Sequence, residues 1–187
     1  MSGLILPYRD KRPRISGEAF LAPGAAVIGD VEIGPGASIC FQCVLRGDVH
    51  AIRVGAGTNI QDGTVVHVTR AKYETVIGAD VTIGHMALIH GCRLEDGCFI
   101  GMGAVVMDGA VVESGAMVAA GALVAPRKRV PAGELWGGRP AIFLRRLKAA
   151  DLAGFTDIAR HYVELGAEYR QALSEPRLAA LQTGDEG

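Results

Sequence analysis

A six-residue period governs the hydrophobic pattern of the chain between residues 15 and 124. Eighteen aliphatic side chains follow it in four unbroken runs: Ile15, Leu21, Val27, Ile33, Ile39 and Leu45; Val54, Ile60 and Val66; Ile77, Ile83 and Ile89; Leu94, Ile100, Val106, Val112, Val118 and Val124. A small side chain such as Ala25, Ala37 or Cys43 stands four residues after most of them. This period fits neither the 3.6-residue repeat of a helix nor simple strand alternation. It predicts an all-β solenoid in which short strands, joined by turns, each bury one large and one small side chain.

The repeat resembles that of the hexapeptide-repeat superfamily. That resemblance implies three hexapeptides per coil and a left-handed parallel β-helix, although left-handed crossovers are rare between parallel strands. On this interpretation the aliphatic positions form six coils, which begin at Ile15, Ile33, Val54, Ile77, Leu94 and Val112. The alternative, a glycine-rich β-sandwich, would have to produce all eighteen matches by chance.

The register of the repeat breaks in three places. Three extra residues bulge out around 47–52, five extra residues form a loop around 69–75, and one residue is missing between Ile89 and Leu94. Solenoids place insertions in surface loops, often on the functional side. The breaks bracket every histidine except His161.

The pattern changes after Pro126, where we expect the repeat to stop. A turn-rich segment follows, and then apolar residues at helical spacing predict one amphipathic helix, or two short ones, over about 147–173. We therefore divide the chain into a β-helix over 10–130 and a second part over 131–187. This second part comprises an exit turn, a C-terminal helix packed on the β-helix, and a tail that is frayed from Ser174.

Composition and charge narrow the function classes. The net charge of −1, with no long run of one sign, gives no electrostatic case for nucleic acid or an anionic membrane surface. No apolar stretch reaches the roughly 18–20 residues of a membrane span. The first ten residues do not form a signal peptide. We therefore expect a cytoplasmic protein whose four cysteines are reduced and structural.

Two histidines occupy equivalent positions in adjacent coils. His67 and His90 each directly follow the third aliphatic residue of their coil, so their backbones should lie about 4.8 Å apart. Two imidazoles at that spacing can share a metal ion. His85 comes two residues after Ile83, on the preceding face of the prism, and points elsewhere. A single chain would have difficulty closing a three-histidine site, whereas a threefold homotrimer can close it across an interface.

Further polar residues map to the same positions of the repeat. Arg46 shares the position of His67 and His90 one coil earlier, and Asp62 lies one coil below His85. The predicted site therefore draws on two chains, with Arg46, Asp48, His67 and His90 from one, and Gln61, Asp62 and His85 from the other.

Several segments, taken in order, resemble the motif set of γ-class carbonic anhydrases. The segments are 45–50 (LRGDVH), 59–63 (NIQDG), 65–68 (VVHV), 83–85 (IGH), 90–92 (HGC) and 138–141 (GRPA). The similarity covers about residues 10–170.

The resemblance implies a role for each site residue. His67, His85 and His90 would bind Zn²⁺, although Fe²⁺ or Co²⁺ also suits imidazole. Arg46 and Asp48 would form an ion pair between subunits. Gln61 and Asp62 would orient metal-bound water, and Tyr162 would reach the site from the C-terminal helix. Structural roles stay open for Arg46, Asp48 and Asp62, and His50 and His161 can be plain surface residues.

The implied activity is the reversible hydration of CO₂ to bicarbonate by a metal-activated water, whose pKa would fall to about 7. Turnover also requires proton export. In the best-known family member an acid follows the Asp of the Arg-x-Asp motif, whereas this chain has Val49. Only Glu74 in the nearby loop, or His50, could replace it. The alternatives are a hexapeptide acyltransferase that uses one histidine and acyl-CoA, a thioesterase on the same metal site, and a non-catalytic trimeric scaffold.

Overall fold

A computed structural model describes residues 3–174 of the chain. It shows a left-handed parallel β-helix of about seven turns followed by one C-terminal helix, which confirms the predicted fold class. The triangular cross-section arises because each coil contributes one short strand to each of three faces.

The strands of each face stack in parallel, one coil above another. The first face contains β2 (Arg14–Ile15), the C-terminal parts of β4 (Ala26–Ile33) and β6 (Val44–Val54), β9 (Thr75–Ile77), β12 (Arg93–Leu94), β15 (Val111–Val112) and β18 (Arg129–Val130). The second face contains β3 (Phe20–Leu21), β5 (Ser38–Ile39), β7 (Asn59–Ile60), β10 (Thr82–Ile83), β13 (Phe99–Ile100), β16 (Met117–Val118) and β19 (Glu134–Gly137). The third face contains β1 (Leu4–Leu6), the N-terminal parts of β4 and β6, β8 (Val65–His67), β11 (Leu88–His90), β14 (Val105–Val106) and β17 (Leu123–Val124).

The interior is filled by the two classes of side chain that the period predicts. The large aliphatic residues form continuous stacks in which Ile39, Ile60, Ile83 and Ile100 are completely buried. The small positions between them are equally closed to solvent. Where a small position carries a hydroxyl, as at Thr64, the side chain donates a hydrogen bond to a backbone carbonyl of the next coil. No buried side-chain nitrogen or oxygen atom within residues 3–174 lacks a hydrogen-bond partner.

Two of the predicted register breaks lie near the histidines, one as a β-bulge and one as a turn. In the pairing of β4 with β6, Gly29 pairs with Gly47 and Val31 pairs with Ile52. Between these two pairs β6 contains three residues more than β4. The second insertion folds into a compact turn closed by a bridge between Thr69 and Tyr73.

The repeat extends further than expected at both ends. We expected it to stop after Pro126, but Val130 and Trp136 continue the six-residue spacing, and β18 and β19 pair with β15 and β16. At the other end β1 pairs with β4 ahead of the first counted coil. The predicted six coils were therefore too few. After β19 the chain turns back into β20 (Ile142–Arg146), an antiparallel strand that the sequence pattern did not indicate.

The C-terminal helix α1 (Ala149–Ser174) is a single helix, which confirms the first of the two alternatives. It packs on the second face, where Phe155 stacks on Phe99 with ring centroids 4.9 Å apart and Tyr169 stacks on Phe20 at 5.3 Å. The predicted frayed tail lies outside the described residues, apart from Ser174. No helix within residues 3–174 is long and apolar enough to cross a membrane.

Candidate metal centre

His67 and His90 lie side by side on the third face. They are paired residues of β8 and β11, as their shared position in the repeat predicted. Nδ1 of His67 and Nε2 of His90 lie 3.1 Å apart, and the two rings are tilted by 57°. Two imidazole nitrogens on one tetrahedral zinc ion lie roughly 3.3 Å apart, given Zn–N distances of about 2.0–2.1 Å. The separation therefore fits a pair of ligands to one metal ion.

The second nitrogen of each ring faces a carboxylate. Nε2 of His67 lies 3.1 Å from Oδ1 of Asp48, and Nδ1 of His90 lies 2.6 Å from Oδ1 of Asp108. An ionised carboxylate only accepts hydrogen bonds, so each imidazole proton belongs on the nitrogen that faces the carboxylate. The two nitrogens that face each other then both carry lone pairs. Two lone pairs at this distance form a site for a cation.

The charges around His67 favour its neutral form. Burial lowers the pKa of His67, and the positive charges of Arg46 and His90 act in the same direction against the opposing effect of Asp48. Asp48 is also paired with Arg46 of the same chain, whereas the resemblance implied an ion pair between subunits. Burial opposes ionisation of Asp48, but the hydrogen bonds from Arg46 and His67 outweigh it and lower the pKa of this carboxyl. A neutral imidazole beside a carboxylate is the state that binds a metal ion.

His85 lies in the turn that follows β10 of the second face, beside its own carboxylate. Its Nδ1 is 2.9 Å from Oδ2 of Asp62, which lies one coil below as predicted. The other carboxylate oxygen accepts a hydrogen bond from the backbone N–H of Phe41 at 3.0 Å. These contacts fix the carboxylate and leave Nε2 as the second nitrogen of His85. Within residues 3–174 no three His, Cys, Asp or Glu side chains of one chain converge as a metal site.

Gln61 is held by a buried chain of polar side chains that the sequence pattern did not indicate. Its Nε2 donates to Oδ1 of Asn59 at 3.1 Å, and Nδ2 of Asn59 donates to the hydroxyl of Thr82 at 2.9 Å. The amide of Gln61 is therefore fixed in orientation, and its oxygen takes no part in this chain of bonds. Asn59 and Thr82 precede the aliphatic positions of adjacent coils, and this spacing was the available signal.

Tyr162 belongs to the group on the second face. Burial raises the pKa of its phenol, and the charges of Cys40 and Asp62 act in the same direction. Its backbone carbonyl accepts a hydrogen bond from the hydroxyl of Ser38 at 2.9 Å, which ties the helix to this face. The structure therefore brings together two groups: Arg46, Asp48, His67 and His90 on the third face, and Gln61, Asp62, His85 and Tyr162 on the second.

The two candidates for proton export have different surroundings. His50 lines a cavity of about 200 Å³ together with Asp48, and its Nδ1 accepts a hydrogen bond from the N–H of Ala51 at 2.8 Å. Glu74 borders a separate cavity of about 170 Å³ beside Lys72. His50 therefore shares a cavity with a residue of the site.

Comparison with known proteins identifies the family of the chain. Residues 91–126 match the family model described as "Bacterial transferase hexapeptide (six repeats)". The chain is 45% identical to a "Probable carbonic anhydrase" of Methanocaldococcus jannaschii over 81% of this chain and 94% of that protein. The chain belongs to the γ-class carbonic anhydrase family.

Two further proteins are similar along most of the chain. "Gamma carbonic anhydrase 1, mitochondrial" of Arabidopsis thaliana is 51% identical over 89% of this chain, which spans 62% of the length of that relative. The crystal structure of a hexapeptide transferase family protein from Anaplasma phagocytophilum superposes with a TM-score of 0.86 at 48% identity. That match covers 89% of this chain and 98% of the other.

Proposed function

We propose that this family member is a homotrimeric carbonic anhydrase that catalyses the reversible hydration of CO₂ to bicarbonate. In the proposed site His67 and His90 of one subunit and His85 of its neighbour bind one Zn²⁺. The observation that carries the proposal is the pair of ring nitrogens 3.1 Å apart, with a carboxylate on the far side of each ring.

The surface around the histidines supports a shared site. Met86 and Met102 are 71% and 58% exposed beside His85, and Val65 and Leu88 are more than a third exposed beside His67 and His90. Apolar side chains concentrated around polar site residues mark a surface that another protein covers. A threefold arrangement would bring the second face of one subunit against the third face of the next. The same contact would bury these side chains and bring His85 to the histidine pair.

The residues of the chain have distinct roles in this proposal. Zinc held by neutral imidazoles supplies a double positive charge and an open position, which lower the pKa of a water to about 7. Gln61 and Asp62 orient the reacting water through their fixed oxygen atoms. Arg46 keeps Asp48 ionised, and Asp48 holds the proton of His67 away from the metal position. Tyr162 contributes its phenol to the site from α1. Fe²⁺ or Co²⁺ would suit the same donors.

A transferase reaction is the second candidate, because the matched family model and the Anaplasma structure carry transferase names. A hexapeptide acyltransferase needs one catalytic histidine and a site for acyl-CoA. It has no need for two imidazoles with facing lone pairs. Metal content therefore separates the two reactions.

The test uses one anaerobically purified sample for native mass, metal analysis and stopped-flow CO₂ hydration. We expect a trimer with one metal per subunit, and we expect His90→Ala to lose the metal while its circular dichroism is unchanged. His161→Ala, which changes an exposed helix residue, is the matched control and should keep the metal. Unchanged metal content in His90→Ala would contradict the assignment. Because Val49 replaces an acid, added imidazole buffer should raise kcat, whereas a fast rate independent of buffer would show an efficient internal proton path.

A further inference from the structure

Asp108 makes two short contacts that tie His90 to the inserted loop. It lies two residues after Val106, on the coil above His90. One carboxylate oxygen is 2.6 Å from Nδ1 of His90, and the other accepts a hydrogen bond from the hydroxyl of Thr69 at 2.7 Å. Thr69 belongs to the coil below His90. The carboxylate therefore links three consecutive coils at the position of one imidazole.

The surroundings of Asp108 are shaped to fit the carboxylate. A Cβ atom on Gly91 would lie 2.7 Å from Oδ1 of Asp108, so the residue after His90 must be small. Tyr73 packs against the same two glycines, because its Cβ lies 2.9 Å from the position of a Cβ on Gly91 and its ring lies 3.0 Å from that on Gly109. The bond from the N–H of Thr69 to the carbonyl of Tyr73, at 2.9 Å, sets the turn that presents the threonine hydroxyl.

This arrangement selects one tautomer of His90. A carboxylate 2.6 Å from Nδ1 requires the imidazole proton on that nitrogen. Nε2 is then the nitrogen that faces His67, and it is ready to bind a metal ion without losing a proton. Thr69 uses the second carboxylate oxygen, which prevents Asp108 from rotating away from His90.

We propose that Asp108 is a positioning residue that fixes the tautomer and ring orientation of His90, and that Thr69 holds Asp108 in place. The consequence for metal affinity rests on the proposed function, whereas the tautomer is a property of the metal-free chain. Loss of a carboxylate behind a ligating imidazole typically weakens metal binding about 10–100-fold. If Asp108 only linked the coils, its removal would change the free energy of unfolding but not the tautomer of His90.

The first test is ¹⁵N NMR of the histidine side chains in metal-free protein at pH 8. We expect the wild-type chain to show His90 protonated at Nδ1, and Asp108→Ala to move the proton toward Nε2. Asp108→Asn keeps an oxygen for His90 and an amide for Thr69, so it should keep the wild-type tautomer. Asp96→Asn is the matched control, because Asp96 occupies the equivalent place after Leu94 but accepts from the backbone N–H of Ala79. An unchanged His90 tautomer in Asp108→Ala would overturn the proposal.

The second test measures zinc affinity by competition with a chromophoric chelator. We expect Asp108→Ala to weaken binding by roughly 10–100-fold and Thr69→Val by a smaller factor within that range. Thr69→Val should have no further effect in the Asp108→Ala background, since the hydroxyl acts through the carboxylate. If the wild-type chain binds zinc tightly and Asp108→Ala binds it equally well, the inference fails. If the wild-type chain binds no metal while the tautomer still depends on Asp108, the proposed function fails and the positioning role stands.

Discussion

At the scale of single residues, the neighbouring carboxylates determine which nitrogen of each histidine can bind a ligand. Each imidazole of the candidate site has its own partner: Asp48 for His67, Asp62 for His85 and Asp108 for His90. An imidazole with one nitrogen committed to a carboxylate presents a lone pair on the other. All three histidines therefore have one nitrogen available for a ligand before any ligand arrives, which lowers the cost of binding a metal ion.

Burial makes the cysteines inert, which gives a prediction at this scale. Burial raises the pKa of the thiols of Cys40, Cys43 and Cys92 to about 12, and it also raises the pKa of Cys98. Because the thiolate is the reactive form, we expect no reaction of the native protein with a disulfide reagent at pH 8 and reaction of all four thiols in denaturant.

The same pKa shifts predict the pH dependence of stability. An unfolded thiol ionises near its ordinary pKa of 9.0, while the folded thiols of Cys40 and Cys43 keep their protons up to a pKa of about 12. The unfolded state then binds fewer protons, so the free energy of unfolding falls as the pH rises above this ordinary pKa. Chemical denaturation at several pH values measures this effect. Rapid labelling of the native protein at pH 8 would contradict both expectations.

The sequence predicted those site contacts that depend only on the period. The pairing of His67 with His90, and the place of Asp62 below His85, follow from counting residues in steps of six. The contact of Asp108 with His90 depends on a side-chain rotamer and on the path of the inserted loop, which spacing does not report. The hydrogen bond from Gln61 to Asn59 was missed for a different reason, because neither residue carries a charge that would single it out.

At the scale of elements, strands of two or three residues persist only because they are stacked. Such a strand has too few hydrogen bonds to form alone, and each coil finds its partners in the coils above and below. The coils must turn tightly to keep this spacing, and glycine at a corner allows backbones of adjacent coils to approach. The last coil, which contains Trp136, was not predicted because the sequence pattern counted only aliphatic residues. Trp136 nevertheless pairs with Val118 of β16 in that position.

Two glycine substitutions should have opposite effects on stability. A Cβ on Gly101 would overlap the backbone of Ala119 and Ala120, so Gly101→Ala should lower the free energy of unfolding by about 1–3 kcal/mol. Gly154 lies in α1, where an added Cβ would have no neighbouring atom within 4 Å, and Gly154→Ala should raise the free energy of unfolding by about 0.5–1 kcal/mol. Urea denaturation of the two variants beside the wild-type chain measures both values. Equal effects of the two changes would refute the role of close coil contact.

At the scale of the whole molecule, the proposed site is divided between faces that do not meet within the described part of one chain. His67 and His90 are the last residues of β8 and β11 on the third face, and His85 follows β10 of the second face. The exposed apolar side chain of Met86 lies in the turn that joins these faces, and that of Leu88 lies in β11 on the third face. Assembly around a threefold axis would bury this surface and complete the ligand set in one step. Metal binding and trimer formation should therefore depend on each other.

Mixing two inactive variants tests the shared site. His67→Ala and His85→Ala should each be metal-poor alone, because every interface lacks one ligand. After the two are unfolded, mixed and refolded, every mixed trimer contains one interface at which a His85→Ala chain supplies His67 and His90 while its neighbour supplies His85. Metal and activity should therefore return to one site in three of each mixed trimer, as measured by metal analysis of the separated species. His67→Ala mixed with His90→Ala is the matched control. It should recover nothing, because both lost ligands belong to the same side of the interface. If the three histidines came from one chain, the first mixture would stay as empty as the control.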